Sequence, residues 1–304
     1  MMKLFQQYRN SLWYVALRQL WKNRIAMASL AVILVYVLIA LGVQVHVIAR
    51  GYNFKYKAPR EIEPGETLEM FREYEPPSLE FWFGTEIFGR DVFQRTLYGV
   101  RTALMIGMIT SFIAIPIGLI LGAVAGYFGG IVDEIVVWFY SALASIPTLL
   151  LILTLCLIFG RGLKGVYLSI GLTTWVGLCR LVRGEVMKLK SMEYVQAARA
   201  LGAGPGKIIF RHIIPNLFHL VIINFTLRFC DAIKAEVILS YLGIGVELGQ
   251  PSWGNMIQSA RMELQRGVWW QFAAATLAMF FIVLAFNLFG DALRDALDPR
   301  LKNE

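Results

Sequence analysis

Charge is what this 304-residue chain has least of. Asp, Glu, Lys and Arg make up 16% of it, against roughly 25% in an average soluble domain. Whole blocks carry none: 25–49, 102–132, 135–160, 165–179 and 267–290. A soluble core does not need charge-free stretches of that length, so a soluble globular domain is excluded. A helix needs about 20 apolar residues to cross a hydrocarbon layer of ~30 Å, and four of the five blocks are that long. The fifth, 165–179, becomes long enough if Lys164 and Arg180 snorkel at its ends. A sixth apolar stretch begins near Pro215 and runs to about Val246, with charges inside it. These stretches specify an all-α integral membrane protein with about six transmembrane helices.

Cysteine is almost as scarce. Cys156, Cys179 and Cys230 fall in or at the edge of apolar blocks without paired spacing, which excludes a disulfide framework or thiolate metal site and leaves small packing residues. The chain has no H-E-x-x-H and no G-x-S-x-G, and YLSIG at 167–171 lacks the first glycine of the latter. The run GAGPGK at 202–207 invites a phosphate-loop reading. However, the first glycine of that motif would be Leu201 and its hydroxyl residue Ile208, so no phosphate loop exists there. His212 and His219 have no third ligand nearby, and no metal site is expected. Neither a low-complexity tract nor a clear repeat interrupts the chain. The expectation is a non-catalytic protein without a cofactor.

Among the charges that remain, Lys3, Arg9, Arg18, Lys22 and Arg24 precede the first apolar block. Basic residues flanking a span stay on the cytoplasmic side, so the N-terminus is expected inside, and six spans return the C-terminus there. Membrane orientation accounts for the formal net charge of +8. Lipid is the implied partner, and nucleic acid is not. The expected division is a cytoplasmic segment 1–24, a first span 25–49, an extracytoplasmic loop 50–101, a transmembrane core 102–291 and a cytoplasmic tail 292–304.

The loop 50–101 opens with prolines (Pro59, Pro64, Pro76, Pro77) and closes on FGTEIFGRDVFQRTLYGVRTAL. There Val92, Leu97 and Val100 alternate with Arg90, Arg95 and Arg101, which suits either a short interfacial helix or a mere connector. Gly126, Gly129 and Gly130 mark a tight turn between spans two and three, and Pro147 should kink span three.

One stretch stands apart from the apolar bulk: YVQAARALGAGPGKIIFRHIIPN, residues 194–216. Val186, Leu189, Val195 and Ala198 fall on helical spacing, as do Ile208, Ile209 and Ile213. Gly202, Gly204, Pro205 and Gly206 break the pattern, so helix, sharp turn and helix are expected. An amphipathic pair of that length is either an ordinary loop between spans or a docking peg for a soluble partner.

This stretch resembles the "EAA" cytoplasmic loop of ABC importer membrane subunits, with Ala197, Ala198, Gly202 and Pro215 in register and Gln196 where the motif has its glutamate. FGTEIFGRDVFQRTLYGVRTAL, GYFGGIVDE, SIPTLLLIL, AEVILSYLGIGV, PSWGNMIQSAR and AFNLFGDALRDALDPRL are similar to segments of the "C"-type permease of oligopeptide, dipeptide and nickel importers. The resemblance runs from about Leu12 to Leu301 and is weakest over 50–80. It implies a type I ABC importer permease fold in a bacterial cell membrane. Its implied partners are a second permease chain, two cytoplasmic ATPase subunits and an extracytoplasmic binding protein. It also implies that 183–215 is the coupling loop to the ATPase, and that the cargo is a peptide or related small solute.

Span five departs from the family pattern. Arg228, Asp231 and Lys234 lie inside it, followed by Glu236, where the family usually has an acid. A charge at membrane depth costs at least ~2.5–3.5 kcal/mol unless it faces protein or water. The spacing of three lets neighbours pair. Pairing within the protein and lining of a path for charged solutes both remain open. The runner-up function, an ion-coupled secondary transporter, rests on these charges alone.

Overall fold

The computed structural model describes residues 18–50, 73–247 and 249–297. Most of the N-terminal segment (1–17), the loop part 51–72 with Pro59 and Pro64, and the tail 298–304 lie outside the described residues. Among those described, helices dominate, and pairing between extended segments is confined to one bridge, Thr85 with Asp91.

Asn23 starts the first long helix, α1 (Arg24–Arg50), its side-chain oxygen accepting from the amides of Ile25 at 3.0 Å and Ala26 at 3.2 Å. The second, α2 (Val92–Phe128), is opened by Asp91, whose side chain accepts from the Phe93 amide. Residues 92–101 are therefore helical, but they are no separate interfacial helix; they run unbroken into span two. With 37 residues, α2 is about 55 Å long and stands well proud of a ~30 Å hydrocarbon layer.

Gly129 and Gly130, both at positive φ, turn the chain into α3 (Gly130–Ala144). Pro147 then does more than kink the span. α3 and α4 (Thr148–Phe159) meet at 90° across Ser145–Pro147, because a proline has no N–H to continue the ladder. α5 (Leu163–Thr173) and α6 (Val176–Leu189) follow, separated by Thr174 and Trp175. The helix continues through Arg180 to Leu189. After α7 (Glu193–Ala200), the one-turn α8 (Pro205–Ile208) passes through a π turn and a 3-10 turn into α9 (Phe218–Tyr241). α10 (Trp253–Leu264) and α11 (Trp270–Leu297) complete the bundle. Five helical segments can cross a membrane, and the bent pair α3–α4 makes six.

The tightest seam joins α2 to α6. Gly118, Gly122 and Gly126 present one bare stripe, on which an added Cβ would lie 2.8, 2.6 and 2.7 Å from the carbonyls of Trp175, Cys179 and Arg183. Small residues four apart let two membrane helices touch backbone to backbone. Near the start of α2, Gly99 makes room for the buried Trp253 indole, which donates to the Thr96 carbonyl at 3.1 Å.

Two ends of the bundle are distinct. One gathers Tyr127, Val186, Val195, Ile208, Ile213 and Leu217, and next to it Leu20 and Ala26 pack on Leu293 and Leu297. The other holds the segment 73–91 and α10. There the buried Glu86 pairs with Arg90 and Arg95, and Trp270 donates to the Thr85 carbonyl at 2.9 Å. Burial pushes the Glu263 carboxyl above its usual range, against the opposing pull of Arg95. The three cysteines are buried packing residues.

Candidate functional site

Two places have the geometry to act. The first is the turn built by 190–217. α7 buries Val195 against Val186 and Ile208 and turns its other side outward. Its end is a full helix-stop motif: the Gly202 amide donates to Arg199 and the Ala203 amide to Ala198, both at 3.0 Å. Gly202 has φ +81°, with open space where a Cβ would sit, so glycine is required there by conformation rather than by crowding. Beside it Leu201 is 88% exposed, with Phe210, Met192 and Tyr194 also exposed. Arg199, Lys207 and Arg211 are exposed in the same segment, and Lys188 pairs with Glu185.

The residues expected here divide by role. Ala197 is exposed and Ala198 half-buried. Gln196 does not reach outward: its side-chain amide donates to the Lys190 carbonyl at 3.0 Å, closing the α6–α7 turn. Pro215 sits in the 3-10 turn that leads into α9, and Asn216 ties that turn to His212 O at 2.7 Å and to the Tyr194 hydroxyl at 3.2 Å. Two further links are visible only in the fold. Arg183 of α6 clasps Asp133 of α3, and Arg199 of α7 lies over the Tyr127 ring at 5.7 Å.

The second place is a cavity of about 390 Å³ where the α3–α4 bend, the α5–α6 junction and α9 meet. Thr148, Thr173, Thr174, Arg180, Arg228 and Asp231 supply its polar lining. The 90° bend between α3 and α4 borders this cavity, and irregular backbone is tolerated at membrane depth only against protein or a watery cavity. Asp231 bonds Lys234 at 2.8 Å, both side chains about half exposed. Arg228 does not join them. Its guanidinium lies across Gly177, where an added Cβ would collide with Nη2. Arg180 projects over the Tyr140 ring at 4.8 Å. Glu236 is apart from the other three. It is buried and accepts from the Ser240 hydroxyl at 2.7 Å, and that hydroxyl also accepts from the Val246 amide. Its place is structural, bracing the turn after α9. Arg180 and Gly177 were not singled out as site residues in the sequence, where Arg180 reads as a span boundary.

Five exposed residues of α9 form one stripe: Leu227, Asp231, Lys234, Ile238 and Tyr241. Asp231 is near the middle of a 24-residue helix, so this stripe puts an ion pair at membrane depth on the outer face of the bundle. Lipid is a poor neighbour for it.

Residues 114–303 match the family described as binding-protein-dependent transport system inner membrane component. The chain belongs to that family. Residues 11–59 of this permease match the N-terminal transmembrane domain of oligopeptide transport permease C. The permease is 37% identical over 297 residues to the dipeptide transport system permease protein DppC of Bacillus subtilis, covering 97% of this chain and 88% of that one. With the oligopeptide transport system permease protein OppC of the same organism it shares 34% identity, covering 96% of this chain and 91% of that one. A solved inward-facing structure of the MetNI methionine ABC transporter has a TM-score of 0.51 at 17% identity, over 68% of this chain and 98% of that one; the likeness is one of fold. The permease is thus a multi-pass protein of the bacterial inner membrane, and a secondary carrier is not the reading this membership favours.

Proposed function

We propose that this permease is the non-catalytic half of the membrane passage of an ATP-driven ABC importer. It pairs with a second, different permease chain and receives peptides or a related small solute from an extracytoplasmic binding protein. Two cytoplasmic ATPase subunits drive it from the α7 end. The observation that carries the reading is the α7 segment, which exposes Leu201, Phe210 and Met192 together with the cations Arg199, Lys207 and Arg211, and is fixed by its glycine stop and by Arg199 on Tyr127. Exposed apolar surface rimmed by charge is the form of a docking site for a soluble protein. Both described chain ends pack at this same end, which supports cytoplasmic termini.

The mechanism follows from how the tip is connected. α7 continues from α6, and α6 is locked to α2 by the glycine seam and to α3 by Arg183 and Asp133. When the ATPases close on ATP, the displaced tip moves α6 with α2 and the start of α3 as one body. α9 and the α3–α4 break, which line the cavity from the other sides, then separate from it or approach it. The cavity opens to one side and closes to the other, ATP and the loaded binding protein each favouring one of two states. The charged stripe of α9 faces the second permease chain or the water between the two.

Leu201→Asp tests the docking. It alters a side chain without a packing role, so the fold stands. In a pull-down from detergent-solubilised membranes, the variant keeps the second permease and loses the ATPase. Retention of the ATPase at wild-type levels would contradict the reading.

A further inference from the structure

Arg180 and Arg228 come from different spans, line one cavity, and have no ion-pair partner among the described residues. Asp231 lines the same cavity, but its carboxylate is bonded to Lys234 at 2.8 Å. The lining therefore sets two guanidinium groups against a single carboxylate, and that carboxylate is already bonded to a third cation. Arg228 lies about ten residues into α9 from the α7 end, and Arg180 about as far up α6 from Leu189, which places both ~15 Å from that end. At such a depth a guanidinium requires water or an anion. Planar forked donors match a carboxylate better than any other common solute group. Gly177 has a part in this: it lies one turn before Arg180, and its bare Cα is what allows the Arg228 guanidinium to lie beside that turn. The Thr148, Thr173 and Thr174 side chains add neutral polar groups, and about 390 Å³ is within the ~300–1,000 Å³ of ordinary small-molecule sites.

We propose that Arg180 and Arg228, with Gly177 giving them room, form a carboxylate subsite inside the passage, so that this subunit itself selects solutes bearing a free carboxylate. The subsite rests on the permease reading above and adds a second selection step after the binding protein. A carboxylate entering the cavity meets the two guanidinium groups. Selection is made in the state in which the cavity is closed around the solute. Release follows when α6 and α9 part and the two arginines no longer act on one anion.

The test uses the full complex in proteoliposomes with its binding protein, loaded with trialanine or trialanine amide at millimolar concentration. The readout is the preference for free acid over amide in uptake per ATP hydrolysed. Arg228→Gln and Arg180→Gln each lower that preference about tenfold or more, and Gly177→Ala lowers it in the same direction by displacing Arg228. Arg228→Lys, which keeps the charge and loses the fork, falls between. An unchanged preference, whether both rates drop together or neither does, overturns the subsite. Loss of the second permease on purification of both glutamine variants also overturns it, because the arginines then pair with an acid of that chain. Wild-type complex that carries neither compound overturns the peptide-importer reading itself, and the subsite with it.

Discussion

Gln196 shows how one side chain changes what a motif does. A glutamate at this position has only acceptors to offer, whereas the glutamine amide donates to the Lys190 carbonyl and holds α7 against the end of α6. Gln196→Glu places a carboxylate against that carbonyl. The expected result is a loss of about 0.5–1.5 kcal/mol in local stability, read as faster amide hydrogen exchange over 190–200 in the solubilised complex. Unchanged exchange there would show that the turn does not depend on the amide. At this scale the sequence was partly legible. Gly202 and Pro215 stand where a helix stop and a helix restart need them, since a positive φ and a missing N–H are properties of the residue itself. Arg180 and Glu236 were read less well, because what distinguishes them is their neighbours. One lines a cavity with residues of other segments; the other is held by the Ser240 hydroxyl, which is itself fixed by the Val246 amide that the chain reaches only after leaving the span.

Elements were the most legible level. Charge-free blocks of membrane length became helices, and Pro147 marked a break, because both effects are local. The structure differs where two elements merge or separate. α2 absorbs the stretch expected to lie in the interface, since nothing between Val92 and Arg101 stops a helix whose first turn is already capped by Asp91. The glycine stripe of α2 was invisible for a different reason: G-x-x-x-G-x-x-x-G acquires meaning only when a second helix lies in the groove, and that helix is some 55 residues further on. In the proposed mechanism, the α2–α6 seam lets a push on α7 move a whole span. Gly122→Leu fills a space in which even a Cβ lies 2.6 Å from the Cys179 carbonyl, so overpacking costs about 1–3 kcal/mol or more. The melting temperature of the purified complex falls by several degrees, and uptake falls with it. Ile120→Leu, on the exposed side of the same helix, leaves both unchanged. Equal melting temperatures for Gly122→Leu and wild type would mean that the two helices do not make this contact in the assembled transporter.

For the molecule as a whole, the important contrast is between covered and uncovered faces. α1 and α11 shield one side of α2 and α9, whereas the bent α3–α4 pair and the charged stripe of α9 remain open. The bend at Ser145–Pro147 and an ion pair at mid-span define a face suited to a partner chain and a watery path rather than to hydrocarbon. The central claim is that movement of the α7 end alternates access to the cavity on this face. Ala235 lines the cavity without charge, and the native cysteines are buried. A single new thiol in Ala235→Cys can therefore report access to a membrane-impermeant thiol reagent. In the reconstituted complex at rest, the thiol reacts from the side that carries α7. With a non-hydrolysable ATP analogue and loaded binding protein it is protected from that side and reacts from the other, or not at all if the binding protein seals the mouth. Equal reactivity from the α7 side in both states, or none in either, would contradict alternating access through this cavity.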